Sequence, residues 1–210
     1  MYFSIPCFVP QMHLYALINM VDNPEYQYKV VILGNSNGGK TCLVHRFAND
    51  IFLDNSQPTI GANFVTKRFQ LDNSTYKFEV WDTAGQEKYR SLAPMYYKGA
   101  AAALVVYDIS LNNSLDAARE WIRELHDHAP PTVVIALVGN KADLPRAVSK
   151  ESAQALCQKF SLIHSEVSAK TGENIFETFI NIAKKLPKST SIQKKLGLQQ
   201  VEYKNNSTCC

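Results

Sequence analysis

The 210-residue sequence has no run of five or more basic residues, and its net charge is only +3. A nucleic-acid binder that grips phosphates needs a concentrated basic face, so no nucleic-acid partner is expected. Of the five cysteines, Cys7, Cys42 and Cys157 stand alone, with none of the Cys-x-x-Cys spacing of zinc or redox sites. They read as small core or surface residues of a protein kept in a reducing compartment. Charge is missing altogether from residues 1–21, although Phe3, Ile5, Phe8, Leu14, Leu17 and Ile18 make that stretch apolar. It lacks the positive start of a secretory signal, and Pro6 and Pro10 break any helix that would cross a bilayer. The expectation is a flexible extension over 1–25. Met20, just ahead of the hydrophilic Asp22-Asn23-Pro24-Glu25, is a candidate start of the native chain, which the intact mass of the native protein checks.

What is present suits one ordinary globular domain with tails, at 46% hydrophobic and 20% charged residues. Short apolar runs at 28–33, 76–81, 101–107 and 133–138, with a weaker one at 162–167, have the pattern of strands buried on both faces of a parallel sheet. Between them lie helical stretches at 41–48, 114–126, 150–160 and 175–186; in the second, Leu115, Ala118, Trp121, Ile122 and Leu125 fall on one face. Strands alternating with helices predict a doubly wound α/β sheet with helices on both faces. A further extended stretch, 63–71, pairs with 76–81 across the turn-rich Asp72-Asn73-Ser74, giving a sixth strand as an antiparallel edge. From Lys188 the pattern dissolves into Lys, Ser, Thr, Gln and Asn, so 188–210 is expected to be a disordered tail and 26–187 the domain.

In such sheets ligands bind beyond the carboxyl ends of the strands, and the unusual residues lie there. After the first run comes Gly34-Asn35-Ser36-Asn37-Gly38-Gly39-Lys40-Thr41-Cys42, matching the strand-to-helix phosphate loop Gly-x-x-x-x-Gly-Lys-Ser/Thr. Consecutive backbone N–H groups there wrap an anionic phosphate chain, Lys40 reaches the β- and γ-phosphates, and the Thr41 hydroxyl is placed to ligate Mg²⁺. After 76–81 comes Asp82-Thr83-Ala84-Gly85-Gln86. Asp82 can hold Mg²⁺, Gly85 lets a backbone N–H approach the γ-phosphate, and Gln86 can orient an attacking water. After 133–138 comes Asn140-Lys141-Ala142-Asp143, and after 162–167 comes Ser168-Ala169-Lys170. The Asp143 carboxylate suits the paired N–H donors of guanine, which adenine does not present, and that argues against an ATPase or kinase. Asn140 is placed to contact the base N7 and steady the loops, the Lys141 stem to lie over the ring, and the Ala169 N–H to meet the base O6.

Together these motifs resemble those of the small GTPases of the Ras superfamily, and within it the Rab family, from about 28 to 187. Ile60-Gly61-Ala62-Asn63-Phe64 and residues 81–100 are Rab-like. Leu92-Ala93-Pro94-Met95-Tyr96-Tyr97 is most similar to the early-endosomal subgroup numbered five, and Ala183-Lys184-Lys185-Leu186-Pro187 agrees. The resemblance implies a P-loop NTPase fold and a slow GTPase that cycles between GTP and GDP with Mg²⁺. It assigns Thr59 to the mobile loop that closes on Mg²⁺ and the γ-phosphate, Phe52 to the guanine edge, and Gln86 with Lys40 to hydrolysis.

It also implies an effector surface made of Phe64, Trp81 and Tyr96, and two geranylgeranyl groups on Cys209 and Cys210, enough for stable membrane anchoring. Expected partners are an exchange factor, a GTPase-activating protein, a GDP-dissociation inhibitor, an escort protein and effectors. The expected role is vesicle traffic, tethering and fusion in endocytosis, on the cytosolic face of early endosomes with a cycling cytosolic pool. Two residues depart from the pattern: a Rab has Gly or Ala where this chain has Asn37, and Val where it has Gly38. Asn tolerates positive φ, so nucleotide binding is expected to survive while its amide alters hydrolysis. The alternative is a GTP-loaded, hydrolysis-impaired interaction protein.

Overall fold

Strand β1 (Glu25–Leu33) begins as a half-exposed strand, with Tyr26 and Tyr28 buried and Gln27 outside, and ends as a run buried on both sides. Val30 and Ile32 face one core while Val31 and Leu33 face the other. The computed structural model describes residues 23–54 and 57–188; the expectations about residues 1–22 and 189–210, including Cys7, Cys209 and Cys210, lie outside them. The remaining strands are β2 (Ala62–Leu71), β3 (Ser74–Thr83), β4 (Ala102–Asp108), β5 (Val134–Asn140) and β6 (Ile163–Glu166). Their spatial order is β2-β3-β1-β4-β5-β6, parallel throughout except for β2, which runs antiparallel to β3 at the edge. This is the six-stranded, mostly parallel sheet with one antiparallel edge strand that the sequence predicts.

The β2–β3 connection is tighter than expected. Leu71 pairs with Ser74, leaving a two-residue loop of Asp72 and Asn73 at φ +48° and +57°. Positive φ at both central residues matches the right-handed twist of the flanking strands, a geometry Asp and Asn accept more readily than most.

Helices α1 (Lys40–Asn49) and α5 (Ile175–Lys185) cover one face of the sheet. Their contact is a ring stack, Phe47 on Phe179 with centroids 3.6 Å apart, continued by Phe69 and Phe78 from the sheet. Each buried ring of this kind contributes about 1.5–3 kcal/mol by leaving water. The other face carries α2 (Ala93–Tyr97), α3 (Ser114–His128) and α4 (Lys150–Phe160). Ser149 caps α4, its hydroxyl accepting from the Ser152 N–H, and Ser161 at φ +53° ends it. On the first face the Tyr28 hydroxyl donates to the Pro187 carbonyl at 2.6 Å, which fixes the chain just after α5 to the start of β1.

One stretch was not foreseen. Glu87–Leu92 forms a 3₁₀ turn that runs straight into α2. Six residues without a buried side chain give no apolar period, so no pattern announces the turn. Because β1 lies between β3 and β4, the connection after β1 runs to one side of it and the connection after β3 crosses to the other, and a crevice opens beyond its carboxyl end.

Candidate functional site

A cleft of about 690 Å³ occupies that crevice. Of the residues proposed from the sequence, Ser36, Asn37, Gly39, Lys40, Thr41, Cys42, Phe52, Thr59, Gly85, Gln86, Asn140, Lys141, Asp143, Ala169 and Lys170 line it. Gly34, Gly38, Asp82 and Ser168 stand behind the lining. At Gly34 only a glycine fits, because a Cβ there would lie 2.2 Å from the Val106 carbonyl oxygen. Gln57 and Pro58, from the segment that carries Thr59, also line the cleft, as do Leu53, Asp54 and Leu144, which carried no signal of their own in the sequence.

In the phosphate loop, Asn37 sits at φ +64° and Gly39 at φ +80°. Asn37 accepts the left-handed region better than most side chains; at Gly39 a Cβ would also collide with Asn140 Nδ2 at 2.4 Å. Lys40 follows at the head of α1 and is 6% exposed. Its ammonium donates to the Gly34 carbonyl at 2.8 Å and the Asn35 carbonyl at 2.9 Å. Burial pushes it down to about 8, against the opposing pull of Asp82. Gly85 presses on the same loop from the segment just after β3, where a Cβ would lie 2.3 Å from Lys40 Nζ and 2.6 Å from the Ser36 nitrogen.

Three oxygens converge beside Lys40. The Thr41 hydroxyl donates to Asp82 Oδ2 at 2.7 Å, and the Thr59 and Thr41 hydroxyl oxygens are 2.9 Å apart. Asp82 is 1% exposed; burial raises its pKa, while the bond from Thr41 and the nearby Lys40 charge lower it. Its other oxygen, Oδ1, is buried with no hydrogen-bond partner. An orphaned carboxylate oxygen next to two hydroxyls is an all-oxygen donor set, which suits a hard cation such as Mg²⁺ that keeps several waters. Among the described residues no group of three or more His, Cys, Asp and Glu side chains gathers for a metal.

The opposite half of the cleft is held by side chains that already bond one another. Asn140, 1% exposed, donates through Nδ2 to the Gly38 carbonyl at 2.9 Å, and its Oδ1 accepts the Ala169 N–H at 3.1 Å. The Ala169 N–H, expected to be available for a base oxygen, is therefore engaged by Asn140. Asn140 likewise spends its amide on tying loops together, the second of its two expected tasks. Ser168 donates to Asp143 Oδ1 at 2.6 Å and accepts the Thr171 N–H, so its contribution is to aim the carboxylate.

Lys141, at φ +67°, lines the cleft with its ammonium paired to Asp108 at the end of β4. Although burial works the other way, bonds from Lys141 and Ser110 hold the Asp108 carboxyl below its ordinary range. Sequence reading passed over Asp108, yet its signal is the one that picked out Asp82, an acidic residue closing an apolar strand. Arg46 was missed too; from α1 it donates to the Ala169 and Lys170 carbonyls at 3.0 and 2.9 Å. Cys42 donates its thiol to the Leu53 carbonyl, joining α1 to the segment that carries Phe52.

Outside the cleft, Phe64, Trp81 and Tyr96 form one aromatic surface, with centroids 5.3 Å apart for the first pair and 5.9 Å for the second. Phe64 is 52% exposed, whereas Trp81 and Tyr96 rest against the second core. Chemically, the cleft offers backbone amides and one ammonium for a phosphate chain, oxygens for a divalent cation, and an oriented carboxylate for a base with paired N–H donors. A comparison with protein-family models finds the Ras family over residues 29–188. With that match over most of its length, the chain belongs to the Ras family, whose members bind GTP and GDP, typically with Mg²⁺, and hydrolyse GTP.

Proposed function

We propose that this Ras-family GTPase is a Rab-type switch that regulates vesicle traffic, tethering and fusion in endocytosis at early endosomes. The observation that carries the reading is the continuous Phe64–Trp81–Tyr96 surface. It lies between the two segments that reach the cleft, one holding Thr59 and the other Gly85 and Gln86. A partner pressed on this surface touches both segments at once, so its affinity depends on how they are held. When GTP is bound, its γ-phosphate and Mg²⁺ supply the charge on which these segments close. Thr41, Thr59 and Asp82 would hold the cation, Lys40 and the loop amides the phosphates, Asp143 the base, and Gln86 would orient water. The Rab-like segments at 60–64 and 92–97 support the subgroup, and Cys209-Cys210 supports double prenylation with its escort and extraction proteins.

The test is the localisation of Thr41→Asn and Gln86→Leu variants, with partner capture by each nucleotide form. Gln86→Leu is expected on endosomal membranes and Thr41→Asn in the cytosol. Capture of effectors by the GTP form should be lost with Phe64→Ala. Residence of Gln86→Leu on another compartment would overturn the endosomal assignment.

A second reading, a GTP-loaded protein that scarcely hydrolyses, rests on Asn37, whose side chain stands in the cleft at φ +64°. Single-turnover hydrolysis should be faster in Asn37→Gly than in the wild type, with nucleotide binding retained; equal rates refute an inhibitory role for the amide.

A further inference from the structure

The 3₁₀ turn after Gln86 has almost nothing of its own to hold it. None of its side chains is buried, and it joins Gln86 through the Tyr89 N–H bond to the Gln86 carbonyl. What restrains it is Arg90, gripped by one face of α3: Glu120 accepts from the guanidinium at 3.0 Å, Glu124 at 3.4 Å, and the guanidinium lies 4.7 Å above the Trp121 ring. Trp121 itself is 5% exposed, and its indole N–H donates to Asn35 Oδ1 at 3.3 Å. Asn35 is in the phosphate loop, where its carbonyl accepts from Lys40 and its backbone is so near Gly85 that a Cβ there would lie 2.6 Å from the Asn35 carbonyl carbon. One indole therefore connects the loop that holds the phosphates with the segment that carries Gln86.

We infer that Trp121 is a positioning residue for GTP hydrolysis, fixing the 87–92 turn, and through it Gln86, against the phosphate loop. The contacts close a ring: Asn35 to Trp121, Trp121 to Arg90, Arg90 through the turn to Gln86 and Gly85, and Gly85 back onto Asn35. Gln86 and Gly85 adjoin, so a shift of the turn shifts the geometry of both. Loss of a link should weaken the orientation of water more than the grip on nucleotide, because the other contacts that hold phosphate and base are untouched. A purely structural Trp121 would instead show itself in folding stability and in nucleotide retention together.

The test uses the full chain loaded with GTP and compares single-turnover hydrolysis with GDP dissociation. Asn35→Leu removes the acceptor with little change in size, and Arg90→Gln removes the stacked charge. Each is expected to slow hydrolysis about 2–10-fold, the worth of one hydrogen bond, with GDP dissociation changed less than about twofold. Asn35→Asp keeps an acceptor for the indole and should restore most of the rate. Asn35 Oδ1 and the Arg90 guanidinium both act on the Trp121 indole, so the double variant should be no slower than the slower single one. Multiplied effects, or equal changes in hydrolysis and dissociation, would overturn the inference. Gln86→Leu is the control for the role of Gln86: if it hydrolyses normally, that role fails, whatever the Asn35 and Arg90 variants do.

Discussion

The two halves of the cleft are finished to different degrees. On the base side every key polar group already has a partner within the chain: Asn140 ties Gly38 to Ala169, Ser168 aims Asp143, and Asp108 holds Lys141. On the phosphate side Asp82 keeps a buried oxygen without a partner, and Lys40 turns its ammonium onto the carbonyls of its own loop. The base side is prepared before a ligand arrives, at little further cost in ordering. The phosphate side is completed by what binds, so its arrangement follows the ligand. Identity is set where the protein is stiff and state is sensed where it is unfinished, a division that suits a switch.

The largest effect that would break this contrast is expected at Asp143. In Asp143→Asn the amide oxygen keeps the bond from Ser168. The amide N–H₂ then turns to the base, where it meets the donors of guanine. Affinity for guanine nucleotides should fall about 10⁴-fold, and xanthine nucleotides, with a carbonyl at that position, should be preferred. Competition against a fluorescent guanine nucleotide measures it. Unchanged selection would mean that the prepared carboxylate is not the reader of the base.

Next in size is a pH effect from the unfinished side. The Lys40 ammonium in the ligand-free protein loses its proton at about 8, and a phosphate chain beside it favours the charged form. Binding therefore takes up a proton above that pH, and affinity should be flat below it and fall by up to about tenfold per unit as pH rises further. Calorimetry at pH 9 in buffers of different ionisation enthalpy reads the uptake; none would mean that Lys40 is already charged without ligand.

The smallest effect sharpens the boundary between the halves. Gly38 lies where Asn140 grips the phosphate loop, yet a Cβ there would meet only ordinary contacts, the nearest the Asn35 carbonyl oxygen at 3.4 Å, and its φ is not in the left-handed region. Gly38→Ala should then stabilise the protein by about 0.4–1 kcal/mol by restricting the unfolded chain. That is a rise of roughly 1–4 °C in Tm for a domain of this size, with nucleotide selection unchanged. A lower Tm would show that the loop depends on freedom at this position.

The strands and the motif loops were legible because the runs of β1 and β4 are buried from both sides, β3 alternates buried with half-buried residues, and the runs end in residue types that a cleft can use. Strand lengths were less so. β1 and β3 continue beyond their apolar runs to Glu25 and Ser74, since backbone pairing such as Glu25 with Thr75 needs no hydrophobic side chain. The 3₁₀ turn was invisible for a similar reason: Arg90 is held by Glu120, Glu124 and Trp121, some thirty residues away, and no local period records such a contact. The ties from Asp108 and Arg46 were hidden in the same way, one being an ion pair and the other bonds to carbonyls. Asn37 was legible, because Asn accepts the positive φ found there.

The Tyr28–Pro187 bond has a directional consequence. Burial, reinforced by neighbouring Tyr76 and Tyr26, drives the phenol pKa up to about 12, so the hydroxyl keeps its proton and remains a donor over any physiological range. The chain past α5 is thereby released at the end of the sheet opposite the cleft. The exit of the chain from α5 and the mouth of the cleft therefore lie at opposite ends of the sheet, so a load on one leaves the other clear.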